Sequence, residues 1–103
     1  MKAVFEISNI GNRQESVVRQ VPFAEAEKDF VVIRSALTAD ASINEHLMWL
    51  WGRLKHERKY LKGIQQDGAV LTCKIRGANA NIEIFPNGAE MLHLLNAKLV
   101  IEK

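Results

Sequence analysis

The residues of this chain best able to do chemistry are one cysteine, Cys73, and three histidines, His46, His56 and His93. A cysteine nucleophile needs a base within hydrogen-bond reach and a third group to orient that base. Cys73 instead falls between Leu71 and Ile75 on the apolar side of an alternating run, where a thiol behaves as a small hydrophobe. Metal binding needs side chains that converge on one ion, and no two histidines fall at i, i+4 or in a Cys/His pattern. Glu45 and His46 are adjacent, and adjacent residues on a helix do not share a face. The glycines form neither G-x-G-x-x-G nor G-x-x-x-x-G-K-[ST], so no phosphate cradle is written into the chain. The carboxylates are scattered, without a pair suited to acid–base work. The expectation is a protein with no catalytic residues, no cofactor and no metal site. An enzyme with an unrecognised site is the second alternative.

A different signal comes from the segment Ala41 to Asp67. Ser42 and Glu45 stand as a capping box, which would satisfy the free N–H groups of a helix start. Ile43, Leu47, Leu50, Trp51, Leu54, Leu61 and Ile64 then recur at helical spacing. Gly68 follows, a residue suited to the left-handed end of a helix. On one unbroken helix, Trp49, Arg53, His56 and Tyr60 fall on a line well away from the leucines. Tryptophan, tyrosine and arginine are the types enriched at binding hot spots, so this line is a candidate protein-contact stripe. The bland reading is that Trp49 and Tyr60 pack beneath residues 1–30. A further sector, Lys55, Lys59 and Lys62 with Arg58 at its edge, reads as a solvated face.

The elements needed to hold that helix follow from periodicity. Lys2 to Ile7 alternates as a strand with Ala3, Phe5 and Ile7 on one side. Asn9-Ile10-Gly11-Asn12 has turn chemistry, and Glu15 to Val21 reads as a second strand, giving an N-terminal hairpin that Pro22 ends. Ala24 to Asp29 suits one helical turn. Phe30-Val31-Val32-Ile33 is an apolar β-branched run fit for a strand covered on both faces. Val70 to Arg76 alternates, Gly77-Ala78-Asn79 reads as a hairpin turn, and Asn81 to Phe85 as the return strand. Asn87 with Glu90 would cap a short helix carrying Met91, Leu94 and Leu95, and Leu99-Val100-Ile101 would be a last strand. From Phe30 onward the order is β-α-β-β-α-β, the ferredoxin-like order of an α+β protein, with the hairpin added in front.

That order invites comparison with RNA-recognition domains, which stack bases on aromatics of their central strands. The expected third strand offers only Asn81, Glu83 and Phe85 on its outer side, a poor platform. Nucleic-acid binding is therefore the alternative and not the favoured function. The net charge of +2 adds nothing to it.

A chain of 103 residues suits one domain, 1–103. A lone cysteine excludes an internal disulfide. The start, Met1-Lys2-Ala3-Val4-Phe5-Glu6, has no signal-peptide pattern. The longest apolar run, Leu47 to Trp51, is far below the roughly 20 residues that span a bilayer. A cytoplasmic protein without membrane association is expected.

The stretch from about Ser42 to Ile101 resembles a bacterial family known as domain of unknown function 4279. The resemblance lies in the helix opening Ile43-Asn44-Glu45-His46-Leu47, in the strand after Asp67-Gly68, and in the ending from Met91-Leu92-His93-Leu94-Leu95 to Leu99-Val100-Ile101. It does not extend to residues 1–40, which lack the Leu-Gly-x-x-Pro-Thr type segment and the tryptophan before the helix. The family carries no activity to transfer. It implies a small bacterial or phage-associated accessory protein. The lack of a catalytic constellation and the Trp49–Tyr60 stripe add the expectation of a non-catalytic binding protein of the immunity or inhibitor type, working through a protein partner or self-association.

Overall fold

The computed structural model describes residues 1–77 and 82–102. It is an α+β structure whose elements run β1 (Lys2–Ser8), α1 (Gln14–Gln20), β2 (Glu25–Ala26), β3 (Val31–Arg34), α2 (Ile43–Leu54), α3 (Arg58–Gln66), β4 (Val70–Arg76), α4 (Pro86–Leu95) and β5 (Lys98–Glu102). The five strands form one sheet in the order β2-β3-β1-β4-β5. β1 is antiparallel to both β3 and β4, β2 is antiparallel to β3, and β5 is parallel to β4.

Strand alternation gives the sheet two unlike faces. Ala3, Phe5 and Ile7 of β1 share one face with Ile33 and Val31 of β3 and with Ile75, Cys73 and Leu71 of β4. All of these are buried in one cluster with Val17 of α1, Leu47, Leu50 and Leu54 of α2, Leu61 and Ile64 of α3, and Met91 and Leu95 of α4. The helices thus cover the Phe5 face. The reverse face carries rows such as Glu25, Val32, Glu6, Thr72 and Lys98, set side by side by the strand register. It is held by a half-buried ion pair between Lys74 Nζ and Glu6 at 3.2 Å.

The ferredoxin-like strand order is present, but it begins at β1 rather than at Phe30. β1-α1-β2-β3-(α2, α3)-β4 is a βαββαβ unit with sheet order 2-3-1-4. The unit ends at Arg76, and α4 with β5 is an extension at the β4 edge. The expected N-terminal hairpin is absent. Glu15 to Val21 is not a strand, because Gln14–Gln20 forms α1. β1 and β2 run parallel with β3 between them, so the connection needs a crossover, which a hairpin cannot provide. Val17 and Val21, i and i+4, point into the core, and Glu15 pairs with Arg19 across one helical turn at 2.6 Å. Tertiary burial outweighs the β preference of Val17 and Val18.

Ala24 to Asp29 contains the edge strand β2 in place of a helical turn. Residues Ile82–Phe85 are not a strand. They lie along α2, where Asn44 Nδ2 donates to the Glu83 carbonyl at 2.8 Å and Phe85 N–H donates to Asn44 Oδ1 at 2.8 Å. The place beside β4 is taken by β5. Of the expected hairpin segment, residues 78–81 lie outside the described residues. α4 begins at Pro86 with Phe85 as its N-cap, ahead of the expected Asn87 cap. Proline at the first helical position lacks only an N–H that would go unused.

Candidate functional site

The capping box is formed as its sequence predicts. Ser42 Oγ accepts from the Glu45 N–H at 3.1 Å, and the Ser42 N–H donates to Glu45 Oε1 at 2.9 Å. The helix it opens does not run unbroken to Asp67. A 3-10 turn over Lys55–Glu57 separates α2 from α3. A 3-10 turn advances by about 120° per residue against about 100° in an α-helix, so three residues rotate α3 by about 60° relative to α2. Between Leu54 and Tyr60 every side chain is charged or histidine. No apolar contact there holds the helix straight, whereas Leu61 and Ile64 must return to the core.

The break splits the candidate stripe in two. Trp49 and Arg53 lie on α2 and remain stacked. The Arg53 guanidinium lies 4.0 Å from the Trp49 ring centroid, and its Nη1 donates to the Trp49 carbonyl at 3.2 Å. Phe23 joins them. Its ring is 5.9 Å from that of Trp49 with the planes tilted by 59°, and the guanidinium is 5.5 Å from its centroid. These distances fit an aromatic pair and a cation–π contact. His56, on the 3-10 turn, and Tyr60, on α3, face instead a shallow depression shared with Gln20, Glu57 and Ile64. Gln20 Nε2 donates to Glu57 at 3.0 Å and ties α1 to that break. Trp49, Arg53 and Tyr60 are half-buried and His56 is exposed. Residues 1–30 therefore do not bury the stripe. They contribute one exposed ring to it.

Phe23 was not among the residues singled out from sequence. It stands in the turn Val21–Ala24, closed by the Ala24 N–H donating to the Val21 carbonyl at 3.3 Å. Pro22 supplies the fixed φ of the second position, and Phe23 sits third with φ +63°. Glycine is the default there, since a side chain costs about 1–2 kcal/mol in the left-handed region. Phe23 bears this strain while remaining 64 % exposed. The readable signal was a Pro-X turn whose third residue is neither glycine nor asparagine.

Cys73 is fully buried, and desolvation pushes its thiol up to about 12. Among the described residues no three His, Cys, Asp or Glu side chains converge on a metal position. Of the strand expected to present Asn81, Glu83 and Phe85, the described part Ile82–Phe85 is not a strand, so Glu83 and Phe85 do not form the expected base-stacking platform, and Asn81 lies outside the described residues. The reverse face of β1 and β3 offers Val4, Glu6, Val32 and Arg34 instead, with no aromatic. Among the described residues no helix is long and apolar enough to cross a membrane.

One polar pair escaped the sequence reading. His46 of α2 is 1 % exposed, and its Nδ1 lies 2.7 Å from Ser35 Oγ, just past β3. Ser35 Oγ also accepts from the Leu37 N–H at 3.3 Å. His46 Nε2 is buried without a hydrogen-bond partner among the described residues. Burial lowers the pKa of His46, and the Met1 amine adds to this. The Glu45 carboxylate and the Thr38 carbonyl act in the opposite sense. Ser35 and His46 are eleven positions apart with no motif between them, so only the fold brings them together.

No family model, no curated protein and no solved structure matches this chain.

Proposed function

We propose that this is a non-catalytic binding protein that engages a protein partner through the Phe23–Arg53–Trp49 stack. The observation that supports it is Phe23, an exposed ring held in a strained backbone conformation that serves no core contact. Strain of this kind clusters at functional positions. Arg53 lies against both rings and makes no ion pair among the described residues. A cation set beside two aromatic rings suits an acidic segment of a partner. Such a role fits the resemblance of residues 42–101 to a bacterial family and the reading as a bacterial or phage-associated accessory protein of the immunity or inhibitor type.

The test compares the wild-type chain with Phe23→Gly and Arg53→Gln in a tagged capture from cell lysate, with and without nuclease. A specific protein retained by the wild type, indifferent to nuclease and lost by both variants, supports the reading. Sedimentation over a range of concentrations separates a second copy of this chain from another protein. Retention that nuclease abolishes would favour nucleic acid. Identical profiles for all three chains would remove the stack from the function.

A further inference from the structure

At the end of the sheet where β1 begins and β3 and β4 finish lies a cavity of about 400 Å³. Its polar lining is Lys2, Arg34, Arg76, Ser35 and His46, and its apolar walls include Val4 and Leu37. Three cationic side chains and Met1, whose amine donates to the Ala39 carbonyl at 3.0 Å, line it, and no carboxylate does. Lys2 stands directly opposite Arg76 in the β1–β4 register. Like charges so placed destabilise a strand pair unless something neutralises them.

The nearby carboxylates Glu102, Glu25 and Glu27 equal the three side-chain cations in number, but they leave N–H donors unused. Glu102 takes Arg76 through Nε at 2.9 Å, which leaves both terminal guanidinium nitrogens. Glu25 and Glu27 take Arg34 through Nη1 and Nη2, which leaves its Nε. Lys2 makes no ion pair among the described residues. Ser35 and His46 add neutral polar groups to the inner wall. His46 Nε2 is sealed from solvent, so His46 shapes this wall and does not donate to an occupant.

We propose that this cavity binds a small organic oxyanion, its phosphate or carboxylate head held by Lys2, Arg34 and Arg76 and its short apolar body set against Val4 and Leu37. The guanidinium groups supply directional N–H donors that match either head, and the lysine adds a point charge. The site is separate from the Phe23–Arg53–Trp49 stack, with which it shares no residue.

The experiment is an NMR titration of the whole chain with three probes, n-butyl phosphate, pentanoate and n-butylammonium. The expected result is saturable shifts at Lys2, Ser35, His46 and Arg76 with an anion at millimolar concentration, and none with the cation. A tighter response to butyl phosphate identifies a phosphate head, and a tighter response to pentanoate a carboxylate. Arg76→Gln and Lys2→Gln, both at exposed positions, should each weaken binding by about tenfold, the loss expected for one charge-assisted contact. Added salt should weaken it further. The proposal is overturned if neither anion saturates, if butylammonium shifts the same resonances, or if both glutamine variants bind as the wild type does.

Discussion

Replacing Gly88 with alanine sets two opposing effects against each other. Gly88 is buried in the first turn of α4, and α4 crosses α2 there. A Cβ at this position would lie 2.9 Å from Leu47 Cδ1 and 3.4 Å from Ile84 Cγ2. Carbon atoms prefer about 3.5–4.0 Å, so Leu47 must retreat by more than half an ångström or the helices must part. Leu47 is fully buried, so its Cδ1 can give way only by displacing core neighbours. Overpacking of this kind costs about 1–3 kcal/mol. Against it stands the helix propensity of alanine over glycine, worth at most about 1 kcal/mol. Gly88→Ala should therefore destabilise the protein by about 1–2 kcal/mol. In a Leu47→Ala background the obstructing atom is gone, and the same change should become neutral or stabilising. Urea unfolding followed by the fluorescence of Trp49 and Trp51, both on α2, reads all four corners of the cycle. A coupling of about 1–3 kcal/mol is expected between Gly88 and Leu47. If Gly88→Ala stabilises the wild type, or if the two changes simply add, the close approach of α4 to α2 is refuted.

Leu54→Ala, at a fully buried position, should cost about 2–5 kcal/mol, and a loss below about 1 kcal/mol would place Leu54 outside the core. Ser42→Ala removes one half of the capping box and should cost about 0.5–2 kcal/mol, with no loss expected only if Glu45 alone holds the helix start. Cys73 should react with a thiol reagent slowly in the native protein and fast in denaturant; rapid native labelling would contradict its burial and its raised pKa. His46 has a folded-state pKa below its usual 6.5, so the unfolded chain binds a proton that the folded chain refuses. Stability should be flat above that pH and fall as pH drops through it, by at most about 1.4 kcal/mol per unit. The lowered carboxyls of Glu45 and Asp40 add their own loss only at more acidic pH. Chemical denaturation from pH 7.5 to 5 should show this slope in the wild type and not in His46→Gln; equal slopes would assign it elsewhere.

The sequence was legible wherever one residue's role depends on its near neighbours. The alternation of Ala3, Phe5 and Ile7, the Ser42–Glu45 capping box and the Leu47–Leu50–Leu54 spacing are local patterns with one physical meaning each. The misread elements are those decided from a distance. Gln14–Gln20 is a helix because β1 and β2 need a crossover, which nothing within its seven residues states. Ile82–Phe85 has the composition of a strand, yet Asn44 captures its backbone and β5 occupies the place beside β4. The stripe was half legible. Trp49 and Arg53 stack as their spacing required, while the 3-10 turn at Lys55–Glu57 carried His56 and Tyr60 to another depression. Phe23 and the Ser35–His46 pair were missed because each is defined by a turn or a tertiary approach.

The place of β1 in the sheet bears on how the chain is made. This strand lies between β3 and β4, and its Lys2–Ser8 backbone is matched residue for residue with Arg76–Val70. It leaves the ribosome well before either neighbour, so its middle position is reached by waiting. At roughly 5–20 residues per second, several seconds separate its synthesis from that of β4. During that interval the run carrying Ala3, Phe5 and Ile7 lacks its β4 partner, and an apolar run without its partner is the kind of segment that pairs with other chains. Glu6 and Lys2 fall within the same run, and charges so placed discourage such pairing. Glu6, which Lys74 neutralises in the folded sheet, is an unpaired charge in that run until β4 is made.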